Sequence, residues 1–138
     1  MRWTPNRVLA LYLGLGLFFL GLLGLFAAPT LKEGSWTFFK LDLVMNLLHI
    51  ATGALGVLAV FTGWSRLYNQ VCGIFYTLIG LLGLLPWLYF SDHRLLGVTH
   101  ANLALSLTHL VLGLAALAFG FFIATYGSWS TSARTAAI

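Results

Sequence analysis

Long apolar runs separated by short polar stretches dominate the chain. Four runs have the length that crosses a lipid hydrocarbon core, about 20 residues for roughly 30 Å. They cover residues 8–28, 42–63, 70–90 and 101–126. Arg7 and Pro29 bound the first, and the polar turn Arg66–Gln70 precedes the third. Asp42, at an edge, is the one charged residue within these limits. Lipid offers backbone groups no partners, so each run is expected to be a helix rather than a strand. The first run has the basic start of a secretion signal, but its apolar stretch is too long for one. Phe26-Ala27-Ala28 also lacks a small residue at the −3 position, so this run is expected to be retained as a true span.

The runs repeat. Run 3 aligns on run 1 at an offset of 59, which places Gly73, Gly80 and Gly83 on Gly14, Gly21 and Gly24. Run 4 aligns on run 2 at an offset of 60, which places Asn102 on Asp42, Ser106 on Asn46, His109 on His49 and Gly113 on Gly53. The expected architecture is therefore an all-α integral membrane domain over residues 1–138. Two tandem helical hairpins (8–63 and 67–123) form a four-helix bundle, related by an axis along the membrane normal. In run 2, Asp42, Asn46, His49, Gly53, Gly56, Val60 and Gly63 follow alternating steps of four and three. That is a heptad seam, and run 4 repeats it with Asn102, Ser106, His109, Gly113, Ala116 and Gly120. The simplest reading is close packing by small residues, which makes helices 2 and 4 the inner pair.

Composition agrees. Apolar residues make up 60% of the 138 and charged residues 7%, whereas soluble domains carry about 25% charged residues. The net charge of +4 rests on seven Lys and Arg at ends and loops, with no patch for nucleic acid. Arg2, Arg7, Arg66 and Arg134 fall on one side, and Lys32, Lys40 and Arg94 on the other, together with Glu33, Asp42 and Asp92. The bias predicts both termini on the cytoplasmic side. Trp3, Trp36, Trp64, Trp87 and Trp129 all lie near run ends, where indole rings favour the interface. The lone Cys72 excludes an internal disulfide and is expected to pack as a small hydrophobe. Pro86 is expected to end or bend helix 3.

The candidate chemistry is centred on His49 and His109. Both are expected about 10 Å below the membrane surface, at seven residues of 1.5 Å rise each, and turned inward. One reading is interhelical hydrogen bonding, satisfied by Asn46, Ser106, Thr52, Thr108 or a carbonyl. A second is axial ligation of haem b, or of chlorophyll-type magnesium. Gly53 and Gly113 would leave room for the macrocycle, with Asn46 and Ser106 behind the ligands. Asp92, His93 and His100 are expected to form a solvated polar loop rather than a metal site. No acidic or basic group lies deep in a run, which argues against ion-coupled transport. No nucleophile, zinc-protease or phosphate-loop motif is present either.

The segments Asn46-Leu-Leu-His49-Ile-Ala-Thr-Gly53-Ala-Leu-Gly56, Arg66 to Gly83, and His109-Leu-Val-Leu-Gly113 resemble a family of small four-helix membrane proteins of bacteria and cyanobacteria whose domain has no known function. The resemblance covers about residues 8–124, with Ser106 in the second copy where the first has Asn46. It implies the four-helix fold and topology and carries no activity. Three functions follow as expectations. The first is a non-enzymatic accessory subunit of a larger photosynthetic or respiratory membrane complex, whose outer faces meet lipids, other subunits or pigments. The second is a tetrapyrrole-binding protein, and the third a quinone- or lipid-handling enzyme. The expected location is a multi-pass position in a bacterial inner membrane or thylakoid.

Overall fold

The computed structural model describes residues 3–27, 42–90 and 94–123. Four α-helices account for most of it: α1 (Pro5–Ala27), α2 (Leu43–Thr62), α3 (Ser65–Leu82) and α4 (Leu103–Leu117). A π-helical turn, Ala118–Phe122, extends α4. Between α3 and α4 lie a 3-10 turn, Pro86–Leu88, and three two-residue strands. These are β1 (Tyr89–Phe90), β2 (Arg94–Leu95) and β3 (Thr99–His100), antiparallel in the order β1-β2-β3. Among the described residues, three segments are long and apolar enough to cross a membrane: Pro5–Phe26, Leu43–Thr62 and Leu103–Phe122. The chain has the character of a membrane protein on that ground.

Local chemistry sets the helix ends. Thr4 caps α1 by accepting from Arg7 N–H, and Pro5 at the first helical position forfeits only an N–H that has no partner inside the helix. This starts α1 three residues before the apolar run. Asp42 caps α2 through Met45 N at 2.9 Å, and Asn102 caps α4 through Leu105 N at 2.9 Å. The two caps are equivalent positions of the sequence repeat. Gly63, at φ 83°, closes α2 in the left-handed conformation that glycine adopts without strain.

Helix 3 departs from the expected run of residues 70–90. It begins at Ser65 and ends at Leu82, with Gly83 at its C-cap. Its first turns carry Arg66, Asn69 and Gln70, so α3 is not among the three apolar segments. Pro86 opens the 3-10 turn. Its fixed φ and missing N–H suit the start of a new turn, not the continuation of α3. The residues beyond it reverse direction through Leu96 (φ 53°) and Gly97 (φ 72°) and form the small sheet. The expected end of run 4, residues 124–126, lies outside the described residues, as do Arg2, Lys32, Glu33, Trp36, Lys40, Trp129 and Arg134.

The helices pack as two pairs, α1 with α2 and α3 with α4. Inside each pair, glycines let the backbones touch. A Cβ on Gly14 would lie 2.8 Å from Val57 N, and one on Gly73 would lie 2.7 Å from Leu117 N. A Cβ on Gly21 would meet Asn46 O at 2.6 Å, and one on Gly80 would meet Ser106 O at 2.8 Å. Each contact in the first pair thus has its counterpart at the aligned positions of the second. Arginine placement repeats too. The Arg7 guanidinium lies beside Gly63 at the end of α2, and Arg66 Nε donates to Gly120 O at the end of α4. Both cations sit at the negative end of a helix dipole.

Helices α2 and α4 are not the inner pair. Between the hairpins the closer backbone approaches are α1 to α3 and α2 to α3. Most glycines of each seam are used inside its own hairpin. Gly53 faces α1, Gly113 faces Thr77 of α3, and Gly120 faces Gln70, whereas Gly56 meets both Gly14 of α1 and the Tyr68 ring of α3. The core between the pairs is built from Ala10, Leu13, Leu17, Ala59, Val60, Tyr68, Cys72, Tyr76 and Ala116.

Candidate functional site

Among the described residues, polar contacts join the hairpins at points spread from one end of the helices to the other. At the α1 N-terminal end, buried Asn69 donates from Nδ2 to Asn6 Oδ1 at 2.8 Å and to Asn6 O at 3.1 Å. Midway, Tyr76 O–H meets Thr52 Oγ1 at 2.7 Å. The Thr52 proton goes to Leu48 O, also at 2.7 Å, so Tyr76 is the donor in this pair. At the same level His49 Nε2 and His109 Nε2 stand 3.3 Å apart. At the far end Asp42 reaches across to β3. It accepts from Thr99 Oγ1 at 2.9 Å and from His100 N at 2.8 Å, with His100 Nδ1 at 3.5 Å.

The histidine pair is the most buried of these contacts, with His49 0% and His109 2% exposed. The ring centroids are 5.5 Å apart and the planes cross at 73°. That centroid distance is close to the N···N distance plus the two ring radii, so the imidazoles point nearly head-on at each other. Tyr76 closes the third side, its ring centroid 5.1 Å from that of His109 and 6.2 Å from that of His49. His49 Nδ1 is buried and has no hydrogen-bond partner.

The structure brings His49 and His109 together and uses the other candidates differently. Gly53 does not open space for a macrocycle, because a Cβ there would strike Phe18 N and lie 2.7 Å from Gly14 O. Gly113 is likewise closed off by the Thr77 backbone and hydroxyl. The ring nitrogens that would ligate iron or magnesium instead face each other at hydrogen-bonding distance. The packed site therefore does not fit a tetrapyrrole. Asn46 and Ser106 do not support the rings either. Asn46 Oδ1 and Ser106 Oγ are buried without a hydrogen-bond partner, packed against Gly24 and Gly83 respectively. Thr52 and Thr108 bond to the carbonyls of their own helices rather than to the histidines.

Asp92 and His93 lie outside the described residues, and His100 is tied to Asp42. Among the described residues no group of three His, Cys, Asp or Glu could hold a metal. Two shallow clefts lie on the described surface. One, of about 370 Å³, is lined by Gly83, Leu84, Pro86, Tyr89 and Leu103. The other is lined by Leu107, Thr108, Val111 and Leu112. Neither reaches His49 or His109.

Sequence reasoning missed Tyr76, the Asn6–Asn69 pair and the Asp42 clasp. Tyr76 has a faint signal, lying three and four residues from Gly73 and Gly80 among the glycines of α3. The other links join residues 57 or more positions apart, and nothing in either helix alone marks them.

A family model described as Domain of unknown function (DUF4383) matches residues 7–122. No curated protein and no solved structure matches the chain.

Proposed function

Starting from the chain's membership of the DUF4383 family, a domain of unknown function, we propose that it is a four-span membrane protein with a structural role. In this reading it is an accessory subunit of a larger membrane assembly, with both termini on the cytoplasmic side of a bacterial inner membrane or thylakoid. One observation carries the reading. The described polar links point inward and join helix to helix, while Tyr12, Phe19, Phe26, Leu55, Phe61, Val71, Val111 and Phe122 lie exposed on the outside. A surface of that kind suits lipid or apolar neighbours.

Helix α3 fits a fourth span despite its polar start. Its 18 residues extend about 27 Å, close to a hydrocarbon core of roughly 30 Å. Asn69 and Gln70 spend their polarity on Asn6 and Gly120 O, away from lipid. Arg66 sits at the end of the helix, from which a long side chain reaches the interface.

The test is purification of the tagged full-length chain from its own membranes in mild detergent. The reading predicts migration on native gels well above 15.1 kDa, and loss or thinning of that assembly when the gene is deleted. A chain that runs as a free monomer, with every membrane assembly unchanged by deletion, overturns it.

A further inference from the structure

We propose that His49 and His109 form a two-coordinate site for copper(I), held in line between their Nε2 atoms. This goes beyond the accessory-subunit reading and does not depend on any partner.

The two Nε2 atoms stand 3.3 Å apart and nearly head-on, on rings crossed at 73°. Two metal–imidazole bonds of about 2 Å, laid end to end, span about 4 Å. The rings therefore need to part by only about 0.7 Å to admit an ion on the line between them. That movement separates α2 from α4, while the closer approaches between the hairpins run from α1 to α3 and from α2 to α3. Head-on lone pairs suit an ion that bonds two donors in line. Copper(I), with its filled d shell, does so, and imidazole is an ordinary ligand of copper. Tetrahedral zinc and octahedral magnesium need more donors at other angles. Among the described residues no third His, Cys, Asp or Glu completes such a set.

Burial selects the charge of the ion. His49 is 0% and His109 2% exposed. Asp42, the acidic residue among those described, lies about two turns from His49. It is committed to Met45 N, Thr99 and His100. The free energy of burying an ion rises with the square of its charge. Between two neutral ligands a divalent ion is thus about four times as costly to hold as a monovalent one. The third wall is aromatic. The Tyr76 ring centroid lies about 5 Å from the midpoint of the pair, within the roughly 6 Å over which aromatic rings attract a cation.

The protons balance without release. Each neutral ring carries one, and ligation through Nε2 places both on Nδ1. Two metal–nitrogen bonds form, the Nε2···Nε2 hydrogen bond breaks, and no electron moves. Each Nδ1–H then needs an acceptor. The sequence repeat supplies one three residues before each histidine, at neighbouring positions of the helix surface. These are Asn46 Oδ1 and Ser106 Oγ, both buried without a hydrogen-bond partner, as is His49 Nδ1 itself. Turned from Gly24 and Gly83, against which they pack, the two side chains accept from the rings. A bound ion thereby gives partners to three buried polar atoms that have none in the hydrogen-bonded pair.

The test is anaerobic titration of the purified full-length chain in nanodiscs with copper(I), followed by X-ray absorption and by nitrogen NMR of its four ¹⁵N-labelled histidines. The site predicts one tightly held ion per chain, bound by two nitrogens and no sulfur. Two histidines should become protonated at Nδ1 and shifted at Nε2. His49→Gln and His109→Gln, each checked by circular dichroism for unchanged helix content, should lose the ion, and Cys72→Ala should keep it. Failure of the unaltered chain to retain copper(I), sulfur bound to the copper, or tighter binding of zinc(II) overturns the proposal. Retention of the ion by either glutamine variant, or its loss in Cys72→Ala, contradicts it equally.

Discussion

Asp42 shows how much one side chain carries here. Its carboxylate caps α2 and ties that helix to β3, the strand entering α4. Burial pushes this carboxyl up. The N–H groups of Met45 and His100, the Thr99 hydroxyl and the nearby His100 ring more than offset burial and hold it below the ordinary carboxylate range. A carboxyl lowered by folding stabilises the folded chain fully above the unfolded value of about 3.9. That contribution is lost as pH falls through the lower folded value. Asp42→Ala is expected to cost about 1–2 kcal/mol through the lost cap and clasp. Asp42→Asn should keep most of the cap and remove part of the acid-induced loss below about pH 4. Thermal unfolding in detergent, followed by circular dichroism across pH, reads both. The repeat marked Asp42 and Asn102 as equivalent positions, but it read them as members of the packing seam and not as caps. The clasp was not legible, because Thr99 and His100 come from a loop whose path no periodicity records.

Among the elements, the hairpins depend on glycine contacts that the repeat had marked. Gly21→Ala would place a methyl group 2.6 Å from Asn46 O, and Gly80→Ala one 2.8 Å from Ser106 O. Each is expected to destabilise by about 1–3 kcal/mol, since backbone must move to admit it. Gly16 has open space around its Cβ position, so Gly16→Ala should be neutral or stabilising by up to about 1 kcal/mol. Detergent unfolding of the three variants separates contact from composition. At the end of α4, Gly120 O accepts from both Arg66 Nε and Gln70 Nε2. Removing both donors (Arg66→Leu with Gln70→Leu) should raise hydrogen exchange over residues 118–123 and leave α2 unchanged. Helix 3 was the least legible element. Its apolar count ran on through Leu84, Leu85, Trp87 and Phe90, whereas Gly83 and Pro86 end the helix earlier. Its polar start read as a turn because Asn69 and Gln70 are satisfied by partners 63 and 50 residues distant.

At the scale of the whole molecule, two similar hairpins meet through polar links set at intervals along their length. The histidines were legible as a pair because they fall on one another in the repeat. Their mutual contact was not, since the same spacing also suits a ligand between them. In the proposed four-span arrangement α3 crosses the membrane, which would put the turn after α2 and the β2–β3 turn on opposite faces. Single-cysteine accessibility in oriented vesicles, in a Cys72→Ala background, tests this with Trp64→Cys and Leu96→Cys. With four spans, a membrane-impermeant thiol reagent is expected to label residue 64 from the cytoplasmic side and residue 96 from the opposite side. Labelling of both from one side would contradict that arrangement.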